Sequence, residues 1–301
     1  MPIEKSFPSL FVDAERVSLG GQRGYMIATS SALLAALIAS AASTVEIDIR
    51  LGEAAVRLGA LLAGTAFLVG IASAVYAIQT KPERAWYRGR AAAESIRTLC
   101  WQYVVGGGSF GRGDEAEAER RLIERLREVA ASASAAQLDI AAIGGQISPD
   151  MRVARSASLE ERVRTYLAER IDVQNMWYVK RARRNRQRAN LWLTVALVFQ
   201  VGGLMLAAAR TFKLMDVDFF GVAATAAAGA SAWMQTKDYL NLAEAYSATA
   251  RDLALVRTEG EAFLQKSDEA SWRVFVEYAE QAVSREHTLW LARRGEVALQ
   301  N

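Results

Sequence analysis

The chain of 301 residues contains one cysteine, one histidine and only four prolines. The single Cys100 cannot form an intramolecular disulfide, so nothing indicates an oxidising compartment. The single His287 cannot build a zinc site of the two-histidine type. Few prolines and many Ala, Leu, Arg and Glu residues favour helix, and they argue against a β-barrel, whose strands would alternate polar and apolar residues.

Charge is absent from four long stretches, which are residues 25–45, 58–80, 189–209 and 219–236. A helix needs about 20 mostly apolar residues to cross a bilayer, and a helix satisfies its own backbone hydrogen bonds there. The sequence therefore predicts an all-α membrane protein with two transmembrane helical hairpins, loops at their tips, and helices that extend into a cytoplasmic bundle. The alternative is the core of a large soluble bundle, which the Ala- and Ser-rich first and fourth stretches fit best.

The chain reads as two halves with one plan, namely a lead-in helix, two spans and a helix that continues into the cytoplasm. The second span of each half ends alike, with Gln79-Thr80-Lys81 and Gln235-Thr236-Lys237. We predict a first unit at 1–143, a linker at 144–158 and a second unit at 159–301. The predicted cytoplasmic helices are 83–105, 114–143, 159–188, 237–259 and 268–294.

Local signals set several of these boundaries. Pro82 suits the first turn of a helix. Asp114 and Ser158 predict helix N-termini, because a glutamate follows each of them three residues later and completes a capping box. No glycine or proline occurs between Gly229 and Gly260, which predicts that the fourth span continues as uninterrupted helix up to Gly260.

Positive charge concentrates in a basic run just before the third span, formed by Lys180, Arg181, Arg183, Arg184, Arg186 and Arg188. The positive-inside rule favours a cytoplasmic position for this run and for both termini, with the hairpin tips outside. The run could also contact anionic lipid. A nucleic-acid role fits less well, because the run adjoins a span and the net charge is only +3.

Two patterns that suggest chemistry have simpler interpretations. Gly106-x-Gly108-x-x-Gly111 matches a dinucleotide fingerprint, which requires a preceding strand; a helical pattern precedes it here, so we interpret it as a flexible turn. His287 beside Glu286 could act as a base toward Ser284, but an interface histidine near a helix end is the simpler interpretation. We predict no catalytic residue, no metal site, no cofactor and no enzymatic activity.

Inside the spans, small and uncharged polar residues replace ionisable ones, which weakens a coupled-transporter interpretation. Small residues let helices pack closely, within one subunit or between subunits. Hydroxyls can line a pore, or they can bond back to their own helix. The candidates for pore-facing or helix-packing positions are Thr29, Ser30, Ser40, Gly70, Thr194, Gln200, Gly221, Thr225 and Gly229.

Three stretches, at 84–101, 166–178 and 275–294, resemble the SLATT superfamily, the two-transmembrane effector domains that associate with SMODS and SLOG domains. The first resembles the signature that follows a two-span hairpin, the second the lead-in of another unit, and the third its closing helix. With both hairpins, the resemblance covers nearly the whole chain as two units in tandem. The signature residues are Trp86, Tyr87, Arg90, Glu94, Trp101, Trp177, Tyr178, Glu286, His287 and Trp290.

The resemblance implies a bacterial membrane effector of conflict or anti-phage defence systems. Such proteins are proposed to form an oligomeric pore or channel in the inner membrane, gated through cytoplasmic helices. The implied partners are the lipid bilayer, further copies of the chain, and a nucleotide second messenger or a sensor protein as trigger. The alternative is a non-conducting membrane-anchored scaffold that recruits a cytoplasmic partner.

Overall fold

The computed structural model describes residues 3–51, 54–135, 145–215, 219–265 and 268–293. Helix dominates these residues. The α-helices are α1 (Ser9–Ala42), α2 (Leu58–Thr80), α3 (Pro82–Val105), α4 (Glu115–Ala135), α5 (Pro149–Ser156), α6 (Leu159–Thr165), α7 (Val173–Thr211), α8 (Phe220–Lys237), α9 (Tyr239–Glu261) and α10 (Glu269–Arg293). A π-helical segment, Tyr166–Asp172, joins α6 to α7, and short 3-10 helices occupy Ile3–Ser6 and Ala262–Leu264.

Among the described residues, three helices are long and apolar enough to cross a membrane, judged by length and composition. They are α1, α2 and the continuous run Leu159–Thr211, which ends with α7. In the most apolar 18-residue window of each helix, taken in that order, only 22%, 11% and 11% of the window is buried inside the protein. Most of these apolar residues therefore face outward. The membrane character predicted from the charge-free stretches is thus supported, while the count of four spans stays a prediction.

The helix α8 differs from the other predicted spans. It has 18 residues, of which seven are Ala and two are Gly, and it ends in Gln-Thr-Lys. Its buried side consists of Ala223, Ala226, Ala227 and Ala230. Among the described residues, α8 is therefore not one of the helices that are long and apolar enough to cross a membrane.

The first hairpin tip is a correction to the all-α prediction. Strands β1 (Asp48–Leu51) and β2 (Ala54–Arg57) pair antiparallel, with Ile49 opposite Val56. β-Branched residues favour strand at this point, and the ends of a tight hairpin pair readily. The two residues between the strands, Gly52 and Glu53, lie outside the described part of the chain.

Residues 149–156 are a second correction, because they form α5 inside the predicted linker. Ser148 Oγ accepts a hydrogen bond from the Met151 amide at 3.2 Å, and Pro149 occupies the first turn. A Ser cap followed by proline is a helix-start signal that a linker interpretation overlooked. Met151 and Arg155 of this short helix are buried.

The predicted helix starts are confirmed. Asp114 Oδ1 accepts from the Glu117 amide at 2.9 Å, and Ser158 and Glu161 form a complete capping box. Pro82 is the first residue of α3. The predicted end of the 114–143 helix, residues 136–143, lies outside the described residues.

Both halves break the helix immediately after the second predicted span. Lys81 (φ 45°) separates α2 from α3, and Asp238 (φ 50°) separates α8 from α9. The prediction of an uninterrupted helix up to Gly260 is therefore wrong. Asp tolerates the left-handed region, and its amide still bonds to the carbonyls of Met234 and Gln235.

The chain forms two compact units that do not follow its two sequence halves. The polar unit contains Met1–Gln22, Arg84–Ala182 and Glu244–Asn301, and the apolar unit contains Arg23–Glu83 and Arg183–Ala243. Each half contributes to both units. Helices α1 and α7 likewise supply residues to both.

Small residues bring the helices of the apolar unit together. A Cβ added at Gly70 would lie 3.9 Å from Ala35 Cβ, and one at Gly221 would lie 4.0 Å from Ser40 Oγ. Gly59 allows the tightest approach, because a Cβ there would lie 2.3 Å from Val45 O and 2.4 Å from Ala42 O. Glycine at this point lets the end of α1 return against the start of α2.

We expect Gly59→Ala to lower the melting temperature of the detergent-solubilised protein, because the new methyl group collides with two backbone carbonyls that cannot rotate away. Gly64→Ala on the same helix is the matched control, since nothing lies within 4 Å of its added Cβ. That control should be neutral or stabilising by up to about 1 kcal/mol. Equal melting temperatures for the two variants would contradict the close approach.

Candidate functional site: a buried ionic cluster and the exposed apolar helices

A fully buried ion pair lies at the centre of the polar unit. The side chains of Arg170 and Glu280 are 0% and 1% exposed. Arg170 Nε donates to Glu280 Oε1 at 3.0 Å, and Nη2 donates to Oε2 at 2.7 Å. This two-point geometry is the strongest form of an arginine–carboxylate contact.

Two hydroxyl groups complete the environment of Glu280. Tyr166 Oη donates to Oε1 at 2.9 Å, and Thr98 Oγ1 donates to Oε2 at 2.8 Å. Burial and the adjacent Glu280 charge raise the pKa of Tyr166 well above its usual range, so the phenol stays a donor. Tyr166 and Arg170 both come from the π-helical segment, a rare structure that often occurs at functional sites.

A second carboxylate, Glu94 of α3, joins the cluster. Arg170 Nη2 donates to Glu94 Oε1 at 3.2 Å, and Arg97 Nη1 donates to Oε2 at 2.6 Å. Burial alone would raise the pKa of Glu94, but the positive charges of Arg97, Arg170 and Arg90 outweigh it and hold the pKa at about 2. Glu94 is therefore ionised throughout the physiological range.

Aromatic rings pack around these charges. The Trp101 indole donates to Glu4 Oε1 at 2.9 Å, and its ring packs edge-on against Phe7 and Tyr166, with centroids 5.9 Å away in both cases. Tyr166 in turn meets Trp272 at 5.7 Å. The rings limit the access of water to the ion pairs, which strengthens the electrostatic interactions inside.

The glycine segment at 106–111 is a buried and specifically held loop, which corrects its interpretation as a flexible turn. Gly106 (φ 73°) and Gly108 (φ 53°) take the left-handed conformation. Arg155 Nη1 donates to the carbonyls of Tyr103 and Phe110 at 2.6 and 2.9 Å, and Arg162 Nη1 donates to Val105 O at 2.6 Å. A dinucleotide site presents backbone amides to phosphate, whereas this loop presents carbonyls to arginines.

Several of the polar candidates in the spans have hydrogen-bond partners. Ser30 Oγ donates to Ile27 O, and Thr194 Oγ1 donates to Asn190 O. Thr225 Oγ1 lies 2.8 Å from Gly221 O and 3.2 Å from Ser40 Oγ, so it also connects α8 to α1. Thr29 and Gly229 are half-buried and Gln200 is exposed. Whether any of them lines a pore stays a prediction.

The basic run and the signature aromatic residues occupy defined positions. All six cations of the run are exposed on α7. The Arg181 guanidinium lies 5.2 Å over the Trp177 ring, which also meets Tyr178 and Tyr246. Trp86 and Tyr87 contact each other at 4.8 Å. Glu286, His287 and Trp290 lie on α10, with side chains outside the described part.

Two family models match the chain in tandem. SMODS and SLOG-associating 2TM effector domain 3 matches residues 8–163, which is more than half of the sequence, and effector domain 1 of the same series matches residues 166–290. The chain belongs to the SLATT family. No curated protein and no solved structure matches it.

The ionic cluster of this SLATT chain links the three stretches that carry the family resemblance. Glu94 comes from 84–101, Arg170 from 166–178 and Glu280 from 275–294. Sequence reasoning identified Glu94 but missed Arg170, Glu280 and Tyr166. Each of the three stretches contains several charged residues, so the sequence offered no signal that singled out Arg170 or Glu280.

Low pH should lower the folding stability of the SLATT chain, because Glu94 becomes protonated. Because its pKa is about 2 in the folded chain and near 4.5 ordinarily, it contributes about 3 kcal/mol above pH 4.5. This contribution is lost as the pH falls from 4.5 toward 2. Glu94→Gln should therefore lower the melting temperature at pH 7 and flatten its decline between pH 5 and 3. The exposed Glu124→Gln is the control, and an identical profile for the two variants would contradict the cluster.

Arg170→Met should destabilise the SLATT chain by about 3–5 kcal/mol, because it leaves the Glu280 carboxylate buried without its cation. Arg164→Met is the matched control on the preceding turn, since Arg164 is exposed and pairs only with Glu160 in the described chain. That change should cost less than about 1 kcal/mol. Thermal unfolding in detergent measures both, and equal losses would overturn the assignment.

Proposed function

We propose that the chain is a membrane effector of a bacterial conflict system, such as anti-phage defence, whose copies assemble into a gated pore or channel. Family membership supports the role of a two-transmembrane effector. In this proposal α8 is the fourth span, the chain lies in the inner membrane, and both termini are cytoplasmic. It acts without catalysis or cofactor.

The exposed side of α8 is the observation that carries the proposal. In the charge-free parts of α2 and α7, many of the exposed residues are large and apolar, including Phe67, Leu68, Ile78, Leu197 and Leu204. On α8, after the exposed Phe220 at its start, the exposed positions are Gly221, Ala224, Ala228 and Gln235. They recur at intervals of three, four and seven residues and so form one helix face.

A face of small and polar residues gains little from contact with acyl chains. Such a face suits close helix–helix packing. It also suits the lining of a water-filled path, which does not require charged residues. Four helices of one chain cannot enclose a wide pore, whereas several copies with their α8 helices together can. The exposed α8 face therefore supports assembly of copies around a central path.

Gating follows from helices that contribute to both units. A trigger that favours one arrangement of the polar unit, either a nucleotide second messenger or a sensor protein, can shift the equilibrium of the pore only through differential binding. Helices α1 and α7 offer the covalent route for this coupling. The ionic cluster gives the polar unit a specific packing that a trigger can reinforce or break.

A non-conducting scaffold is the second candidate. The beginning of α7 presents Val173, Met176 and Trp177 as exposed residues at helical spacing. These three side chains share one face of the helix and could bind a cytoplasmic partner. In that case the hairpins serve only as an anchor.

Ion flux from proteoliposomes separates the two functions. We expect the purified chain to conduct when triggered, and Ala228→Leu to reduce the flux about tenfold, because a bulky side chain prevents close packing worth roughly 1–2 kcal/mol. Ala72→Leu, at an exposed position of α2, is the matched control and should conduct normally. Equal flux from both variants would contradict the α8 face, and tight vesicles under every trigger would favour the scaffold.

A further inference from the structure

The facing sides of α7 and α8 bring two cations together at one end of the apolar unit. A Cβ added at Gly203 of α7 would lie 3.4 Å from Ala223 Cβ of α8, and the rings of Trp192 and Trp233 are 6.2 Å apart. Going from the first contact to the second, the residue number decreases along α7 and increases along α8. The two helices therefore run antiparallel. One turn beyond the Trp pair, this register places Arg188 opposite Lys237.

The side chains agree with this register. Lys237 Nζ lies 4.8 Å over the Trp233 ring, one turn back on its own helix. Arg188 is four residues before Trp192 and therefore shares its face. The two cations are close enough to repel each other.

No carboxylate compensates this repulsion within residues 3–51, 54–135, 145–215, 219–265 and 268–293. Neither Arg188 nor Lys237 forms an ion pair there, and the neighbouring Asp238 accepts from Asn241 instead. Two like charges held together by a helical hairpin lower its stability unless an anion lies between them. The geometry thus provides a cation pair that an anionic group would stabilise.

The position of the pair indicates which anion. Arg188 and Lys237 are the residues that border the charge-free stretches 189–209 and 219–236. Tryptophan is enriched at the membrane–water boundary, where its ring lies at the level of the lipid headgroups. The Trp192–Trp233 pair is immediately on the membrane side of both cations.

We infer that Arg188 and Lys237, above the Trp192–Trp233 pair, bind the phosphate of an anionic phospholipid at the cytoplasmic surface. This site rests on the proposed insertion of α7 and α8 into the bilayer. It differs from general attraction by the basic run, because Arg183 and Arg186 are on other sides of α7, five and two residues away. Those two arginines cannot reach the same phosphate together with Lys237.

Native mass spectrometry of the full chain in detergent, titrated with phosphatidylglycerol or phosphatidylcholine, tests the site. We expect phosphatidylglycerol to bind preferentially, and Arg188→Ala/Lys237→Ala to weaken the first binding event about 30-fold, because each cation contributes roughly fivefold near an anionic surface. Arg183→Ala/Arg186→Ala removes the same charge from other sides of α7 and should weaken binding clearly less than the first pair of changes. Arg188→Lys/Lys237→Arg should restore binding and shows that the fold is intact.

Three outcomes would overturn the site. They are equal losses in the two double-alanine variants, the same affinity for both lipids, or displacement of the lipid by millimolar inorganic phosphate, which would indicate a free-phosphate site. The assay measures binding without conduction. A chain that binds lipid but does not conduct would therefore refute only the pore, and a conducting chain without lipid preference would refute only this site.

Discussion

The pairing of Arg170 with Glu280 is the constraint on which the polar unit depends. Both side chains are buried, and their attraction recovers the energy required to remove their charges from water only if the geometry is good and further hydrogen bonds support it. The three segments that supply Glu94, Arg170 and Glu280 are 76 and 110 residues apart in the chain. An incomplete arrangement leaves a buried charge uncompensated, so the cluster selects a single packing of α3, the π-helical segment and α10.

This constraint explains how two tandem domains produce units that do not follow the sequence. Each SLATT match contributes one apolar hairpin and one set of polar helices. The polar helices of both matches share the ionic cluster, so neither half has a complete polar core of its own. The two left-handed residues do not correspond in register, because Lys81 is the last residue of the first Gln-Thr-Lys sequence and Asp238 follows the second one.

Whether a structural feature could be predicted from the sequence depends on how far apart in the chain the interacting residues are. The apolar helices and the caps at Asp114 and Ser158 were predictable, because absence of charge and a capping residue act within a few positions. The strands β1 and β2 and the helix α5 also depend on local sequence. Each is short, however, and its sequence signal is weaker than that of the longer helices around it. The ionic cluster was not predictable, since the partner of Arg170 depends on helix packing across 110 residues.

The weak hydrophobicity of α8 is consistent with the rest of this arrangement. A helix of Ala and Gly gains little from lipid, so its position must depend on contacts such as Thr225 with Ser40 and Ala223 with Gly203. Because these contacts involve one side of α8, its other side is available for contacts that would be unfavourable for a strongly apolar helix. Contact with water or with another copy of α8 is an example. Small side chains lose less favourable packing energy than large ones when contact with lipid is replaced. In the proposed pore, α8, the helix least suited to span a membrane alone, is thus the one best suited to line the path.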